Sequence, residues 1–373
     1  MLYPKLRAAL GLPARVVRVY DIPQQLAVVE EEVLDALEVD TIEMGRGFAL
    51  EDRWWKEWTL PDGTPCLIPS WIRMEREPGR WVILSEATGR VIAHMPDGAI
   101  YFEQTYYPLL EDPGMSNLED VFPESMWTAV ASPPGPAAGD LAAGAKALRE
   151  RQPDRAIVGL FGGNLLEMGQ FFYRNDQFLL MLMESPDVVH DFLDRVVERH
   201  LRVLEDFLGS VGEYIDVILF GDDLGMQSGP QISPATYREY FKPRHARMWR
   251  RVKELADVKI MLHCCGGVRE LLPDLIDAGL EAINPVQISC RGMETEGIKR
   301  DFGKDIVFWG GGCDTQNILV NSTPEQVAGH VREQIRTLAP GGGFVFQQVH
   351  NIQANVPVEN LVAMFEAAAR PWR

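Results

Sequence analysis

The stretch "KIMLHCCGG" (259–267) closes an apolar run with a histidine, two cysteines and a glycine pair. Side chains alternate across a strand, so residues two apart share a face. His263 and Cys265 therefore point together, and Cys264 points away. Further along, "WGGGCDT" (309–315) ends a second apolar run in three glycines and Cys313. The missing Cβ atoms permit close approach of backbone or ligand at that strand end. His263, Cys265 and Cys313 make an N,S,S donor set that suits zinc, which binds such atoms at roughly 2.0–2.3 Å and keeps one position open when catalytic. The same three residues also read as a buried histidine and two core cysteines. His-x-Cys is a short motif, and Cys313 lies outside the spacing of a zinc ribbon.

Other strand ends carry polar groups. "LFGDDLG" (219–225) offers Asp222 and Asp223 as a fourth ligand, a partner orienting His263, or a base acting on substrate; both also read as turn residues. "FQQVHN" (346–351) offers Gln348, His350 and Asn351. Alternation puts Gln348 and His350 on one face, with His350 a catalytic candidate and Gln348 and Asn351 pocket candidates. Glu43, a charge inside the apolar run "DTIEMG" (40–45), is a further pocket candidate.

These residues need elements to position them. Six short apolar runs, 155–163, 215–223, 259–267, 281–289, 306–313 and 343–351, read as buried strands closed by turn formers. Helical patterns separate them. Residues 185–208, 233–256 and 323–339 each open on Ser-Pro or Thr-Pro, and Thr323 with Gln326 forms a capping-box pattern. Two earlier strands, 14–20 and 40–45, flank a predicted helix over 22–37. Eight strands, most followed by a helix, predict an α/β fold of the (β/α)8 TIM-barrel class, with a doubly wound open sheet as the alternative. Barrel sites lie at the carboxyl ends of the strands, where the His263/Cys265 pair falls.

Residues from about 50 to 110 break the alternation with Trp, Pro and Gly and the turn signals "SEATGRV" and "MPDGAI". They predict a β-hairpin insertion after the second barrel strand, covering the barrel mouth. Residues 131–144 read as a Pro/Gly/Ala linker. The expectation is one barrel domain over 1–373.

Charge excludes some functions. With 36 Lys and Arg against 54 Asp and Glu, the net charge of −18 disfavours nucleic acid and anionic membranes. No secretory signal and no 18-residue apolar span is evident, and five cysteines include an adjacent pair unsuited to a structural disulfide. A reducing cytoplasm is the expected compartment. G-x-S-x-G, Walker A, G-x-G-x-x-G and H-E-x-x-H motifs are missing.

Across nearly its whole length the chain resembles the uroporphyrinogen decarboxylase superfamily, in "LGLPARVVRVYDIPQQLAVVEEEVLDALEVD", "AIVGLFGG", "GDDLGMQSGPQISPATYREYFKP", "HCCGGVRELLPDLIDAGLEAINPVQ" and "FWGGGCDTQNILVNSTPEQV". The resemblance implies a single barrel with an insertion after the second strand. The metal-free decarboxylase branch carries an R-Q-A-G-R type motif near the N-terminus; here Arg7, Arg15 and Arg18 stand isolated. The other branch, the cobalamin-dependent methyltransferases, binds zinc through a His-x-Cys pair and a later Cys, a pattern that His263, Cys265 and Cys313 match. That resemblance implies methyl transfer between a small methylated substrate and a corrinoid held by a partner protein, and a homodimer is common in the superfamily. A zinc-held thiolate suits a thiol acceptor, whereas Lewis acidity toward an ether oxygen suits a methoxyarene.

The aromatic insertion, with Tyr106 and Tyr107 as pocket candidates, tilts the expectation to a methoxyarene or methyl ether. A decarboxylase-like lyase, which would need clustered Arg or Lys at the mouth, and a non-catalytic corrinoid-binding protein are the alternatives.

Overall fold

The computed structural model describes residues 1–44, 51–112, 117–131 and 137–369. Seven parallel strands lie side by side in chain order: β1 Thr41–Met44, β2 Ala156–Gly162, β3 Val217–Gly221, β4 Lys259–His263, β5 Ala282–Asn284, β6 Val307–Trp309 and β7 Phe344–Val345. With helices wrapped around this curled sheet, the architecture is the expected (β/α)8 TIM-like barrel. Val158, Val217, Met261 and Ala282 pack together on the inner face, with Leu219, Val307 and Trp309 against them. The outer face carries Ile157, Ile218, Ile260, Leu262 and Ile283, which join the much larger core under the helices. Burial on both faces is why these strands read as continuous apolar runs.

The helices follow their apolar spacing. Pro186–Val211 buries Val189, Phe192, Leu193, Val196, Val197, Leu204, Leu208 and Val211, one stripe of a 3.6-residue period. The helix Pro324–Leu338 has the expected capping box, with Thr323 Oγ1 accepting the Gln326 N–H and Gln326 Oε1 accepting the Thr323 N–H. The stretch predicted as one helix over 233–256 contains a π-helical turn, Tyr237–Phe241, before continuing as Lys242–Leu255.

Three expectations are corrected. The first predicted strand, observed as Val17–Asp21, pairs in parallel with Pro65–Pro69 and antiparallel with Leu26–Ala27, and so belongs to a four-stranded sheet outside the barrel. Only one of its faces is apolar. Val17 and Val19 are buried, while Arg18 lies over the Trp55 ring and pairs with Asp52. The predicted helix over 22–37 is confined to Glu31–Ala36. Ahead of it, Asp21 Oδ1 accepts the Gln24 N–H and Gln25 takes φ +56°, so the chain turns instead of coiling. Of the expected linker 131–144, residues 132–136 lie outside the described residues, and Ala137–Arg151 is helical.

The insertion is larger than one hairpin. Trp55–Thr59 and Pro65–Pro69 join the Val17–Asp21 sheet, and a second antiparallel sheet runs Arg73–Glu77, Arg80–Leu84, Val91–Pro96, Glu103–Gln104. The "SEATGR" segment makes the turn between its second and third strands. Among the described residues no helix is long and apolar enough to cross a membrane.

Candidate metal centre at the barrel mouth

Parallel register fixes what faces the mouth, because residues paired across parallel strands share a face. Met261 pairs with Ala282 in the inner layer; two residues on, His263 pairs with Gly221 on one side and Asn284 on the other. His263 and Asn284 thus stand roughly 7 Å above the packed layer, at the carboxyl end of the barrel. Cys264 points outward as expected: it is buried among the helices, and its Sγ accepts the Leu224 N–H at 3.2 Å. Past Cys265 the chain bends sharply at Gly266, φ +91°, where a Cβ would run into the backbone of Gly225 and Met226.

Asn284 sets the His263 ring. Its Nδ2 donates to the Trp309 carbonyl at 3.1 Å and to Gln347 Oε1 at 2.8 Å, which fixes the amide with Oδ1 facing His263. His263 Nδ1 lies 2.7 Å from that Oδ1 and therefore carries the proton, leaving Nε2 as a lone-pair donor. Nε2 stands 3.3 Å from Cys265 Sγ, close to the roughly 3.5 Å expected between N and S ligands on one tetrahedral zinc. His350 completes the group: one donor atom from each of His263, Cys265 and His350 lies within 4.8 Å of the others, and all three residues are partly buried. The donor set fits zinc as N,N,S.

Cys313 does not join that group. It is fully buried, its Sγ rests 3.9 Å from the Asp314 carbonyl, and burial with the nearby Asp314 charge pushes its thiol up to about 12. The glycines before it serve strand packing: a Cβ at Gly310 would collide with the Pro285 carbonyl, and one at Gly312 with the Phe346 ring. Burial also pushes the Cys265 thiol well up, helped by the Asp223 and Glu167 carboxyl groups. Burial and the His263 ring lower His350, favouring the neutral imidazole that can ligate.

Asp223 and Asp222 part company. Asp223 lines the mouth, and its Oδ1 accepts the Cys265 N–H at 2.7 Å. Asp222 is fully buried, and its two oxygens accept the Leu166 and Glu167 N–H groups at 3.1 and 3.0 Å. His245 Nε2 lies 3.5 Å from Asp222 Oδ2. Asp222 therefore anchors the start of the helix Leu166–Tyr173 and stands outside the mouth, where a catalytic role was expected. The partner that orients His263 is Asn284.

A cavity of about 800 Å³ opens beside Cys265 and His350, lined also by Asp223, Gln287, Trp127, Tyr101, Phe102 and Asn351. Asn351, expected here, donates to Gln24 Oε1 at 2.7 Å. Glu43 sits on the inner barrel face, in register with Val158. Gln348 is displaced: β7 ends at Val345, the strict alternation lapses, and Gln347 takes the inward contact while Gln348 bridges Cys313 through its backbone. Tyr106 and Tyr107 do not line this cavity. Tyr106 is buried under Arg90, and the Tyr107 hydroxyl donates to the Gln104 carbonyl. Among the described residues lining the cavity there is no Arg or Lys, so the cationic clamp of a polycarboxylate decarboxylase is missing from them.

Sequence reasoning missed Asn284, Gln347 and Glu167. Asn284 alone left a signal, as a polar residue ending the apolar run "EAIN" just before a proline.

The fold has relatives. A methyltransferase from Methanosarcina mazei superposes with a TM-score of 0.57 at 16% identity, covering 99% of this chain and 98% of that one. A D-psicose 3-epimerase, solved in the presence of D-fructose, reaches a TM-score of only 0.33 at 10% identity, over 62% of this chain and 80% of its own. No curated relative matches by sequence. Residues 141–371 match the family described as uroporphyrinogen decarboxylase (URO-D), well over half of the chain. The chain belongs to the uroporphyrinogen decarboxylase family.

Proposed function

We propose that this protein is a zinc-dependent methyltransferase moving a methyl group between a small methylated substrate and a corrinoid (cobalamin) carried by a partner protein. The observation that carries this reading is the convergence of His263, Cys265 and His350 beside the cavity. The structural likeness to a methyltransferase supports it.

The donor set argues for direction. One thiolate and two neutral imidazoles around Zn²⁺ leave a net charge of +1, whereas the two thiolates expected from sequence would leave none. A residual positive charge favours Lewis acidity toward an ether oxygen, the chemistry zinc would supply. The favoured substrate is therefore a methoxyarene or other methyl ether, with a thiol as the second choice. When bound, the corrinoid would supply the nucleophile that accepts the methyl group, the electron pair of the methyl–oxygen bond staying on the oxygen. The chain's own part is to hold geometry: Asn284 orients His263, Asp223 holds the Cys265 backbone, and Trp127, Tyr101 and Phe102 bring aromatic rings to the cavity wall.

The test is metal analysis of the purified chain and of His263→Ala, Cys265→Ser and His350→Ala, with cob(I)alamin and a series of methoxyarenes. The expected result is one zinc per chain, lost in each variant, and a spectral change of the corrinoid as it takes the methyl group. A metal-free chain with full activity would defeat the reading. Corrinoid binding without methyl transfer would favour a binding protein instead.

A further inference from the structure

One face of the helix Leu166–Tyr173 grips Asp223 at two points. Glu167 Oε2 accepts the Asp223 N–H at 3.1 Å and is itself held by Asn164 Nδ2 at 2.6 Å. Three residues on, and so on the same face, Gln170 Nε2 donates to Gln231 Oε1 at 2.9 Å, and Gln231 Nε2 donates to the Asp223 carbonyl at 2.6 Å. The grip is reciprocal, because the neighbouring Asp222 side chain accepts the Leu166 and Glu167 N–H groups. Asp223 in turn holds the Cys265 N–H. Even the glycine at 221 belongs to this arrangement, since a Cβ there would come within 3.0 Å of Asn164 Nδ2.

Glu167 is a costly residue for this position. Burial and the charges of Asp223 and Asp222 push its carboxyl well above the usual range. A glutamine would offer the same acceptor without a buried acid between two others.

We infer that Glu167 is a positioning residue: through the Asp223 backbone it fixes the Cys265 end of the metal centre. The inference rests on the zinc reading above. Its carboxyl oxygen works as an acceptor, and its charge is incidental to the role.

The experiment compares wild type, Glu167→Ala and Glu167→Gln by zinc competition against a chromophoric chelator. Amide hydrogen exchange at Asp223 and Cys265 is measured in the metal-free chains. Losing a residue behind a ligand weakens metal binding by about 10- to 100-fold. That loss is expected for Glu167→Ala, with faster exchange at both amides, while Glu167→Gln stays within about threefold of wild type and keeps its protection. Wild-type affinity in Glu167→Ala, or equal weakening in both variants, overturns the inference. A wild-type chain that binds no zinc overturns the metal reading itself, which separates the two failures.

Discussion

Asn284 Oδ1 lies 2.7 Å from His263 Nδ1, and the two residues pair across adjacent parallel strands. The ring orientation is thus set by sheet register, and the amide is held in turn by Trp309 and Gln347. Asn284→Ala removes the acceptor for the ring N–H and frees the imidazole to rotate or change tautomer. Zinc affinity is expected to fall by about 10- to 100-fold, measured by chelator competition. Retained affinity would mean that the ring is positioned by packing alone.

The third ligand is decided by two variants. His350 shares the donor group with His263 and Cys265, whereas Cys313 is buried outside it. Cys313→Ala is expected to keep one zinc per chain, and His350→Ala to lose it or bind it weakly. The opposite pattern, in metal content measured on both variants, would restore the N,S,S set and the weaker Lewis acidity that goes with it.

Why the sequence pointed to Cys313 and only half to His350 has a physical cause. Alternation is a property of regular strands. It held through β4 and the two residues after it, so the split of His263 and Cys265 from Cys264 was legible. It lapsed after Val345, where regular pairing ends, and the two-residue rule gave Gln348 the inward place that Gln347 takes. Capping at Thr323 was legible because it is local. The strand Val17–Asp21 was misplaced into the barrel although Arg18 and Tyr20 mark it as apolar on one face only. The hold of Glu167 on Asp223 was invisible, because its partners lie 56 positions apart and nothing local distinguishes that glutamate.

Asp222 is expected to matter for stability. It is fully buried and satisfies two N–H groups at a helix start. Asp222→Ala leaves both unpaired, at a cost of about 1–3 kcal/mol each, visible as a lower urea midpoint in the metal-free chain. Asp222→Asn keeps one acceptor and loses less. Were Asp222 the base instead, the Asn variant would abolish turnover with its midpoint unchanged.

Substrate charge gives the last prediction. Among the described residues lining the cavity, Asp223 is the carboxylate and no Lys or Arg faces it. A carboxylate on the substrate, about 5 Å from Asp223 at an effective dielectric near 20, would be repelled by that residue by roughly 3 kcal/mol, offset by attraction wherever it also approaches the +1 zinc centre. For a donor whose carboxylate faces Asp223 and away from the metal, the neutral methoxyarene counterpart is therefore expected to show a KM at least about tenfold lower, after allowing for partial screening. Asp223→Asn should narrow that gap by relieving the anionic substrate specifically, while the neutral donor changes little in KM. A carboxylated donor that binds as well as the neutral one would mean that the +1 zinc centre, and not Asp223, sets the charge preference of the mouth.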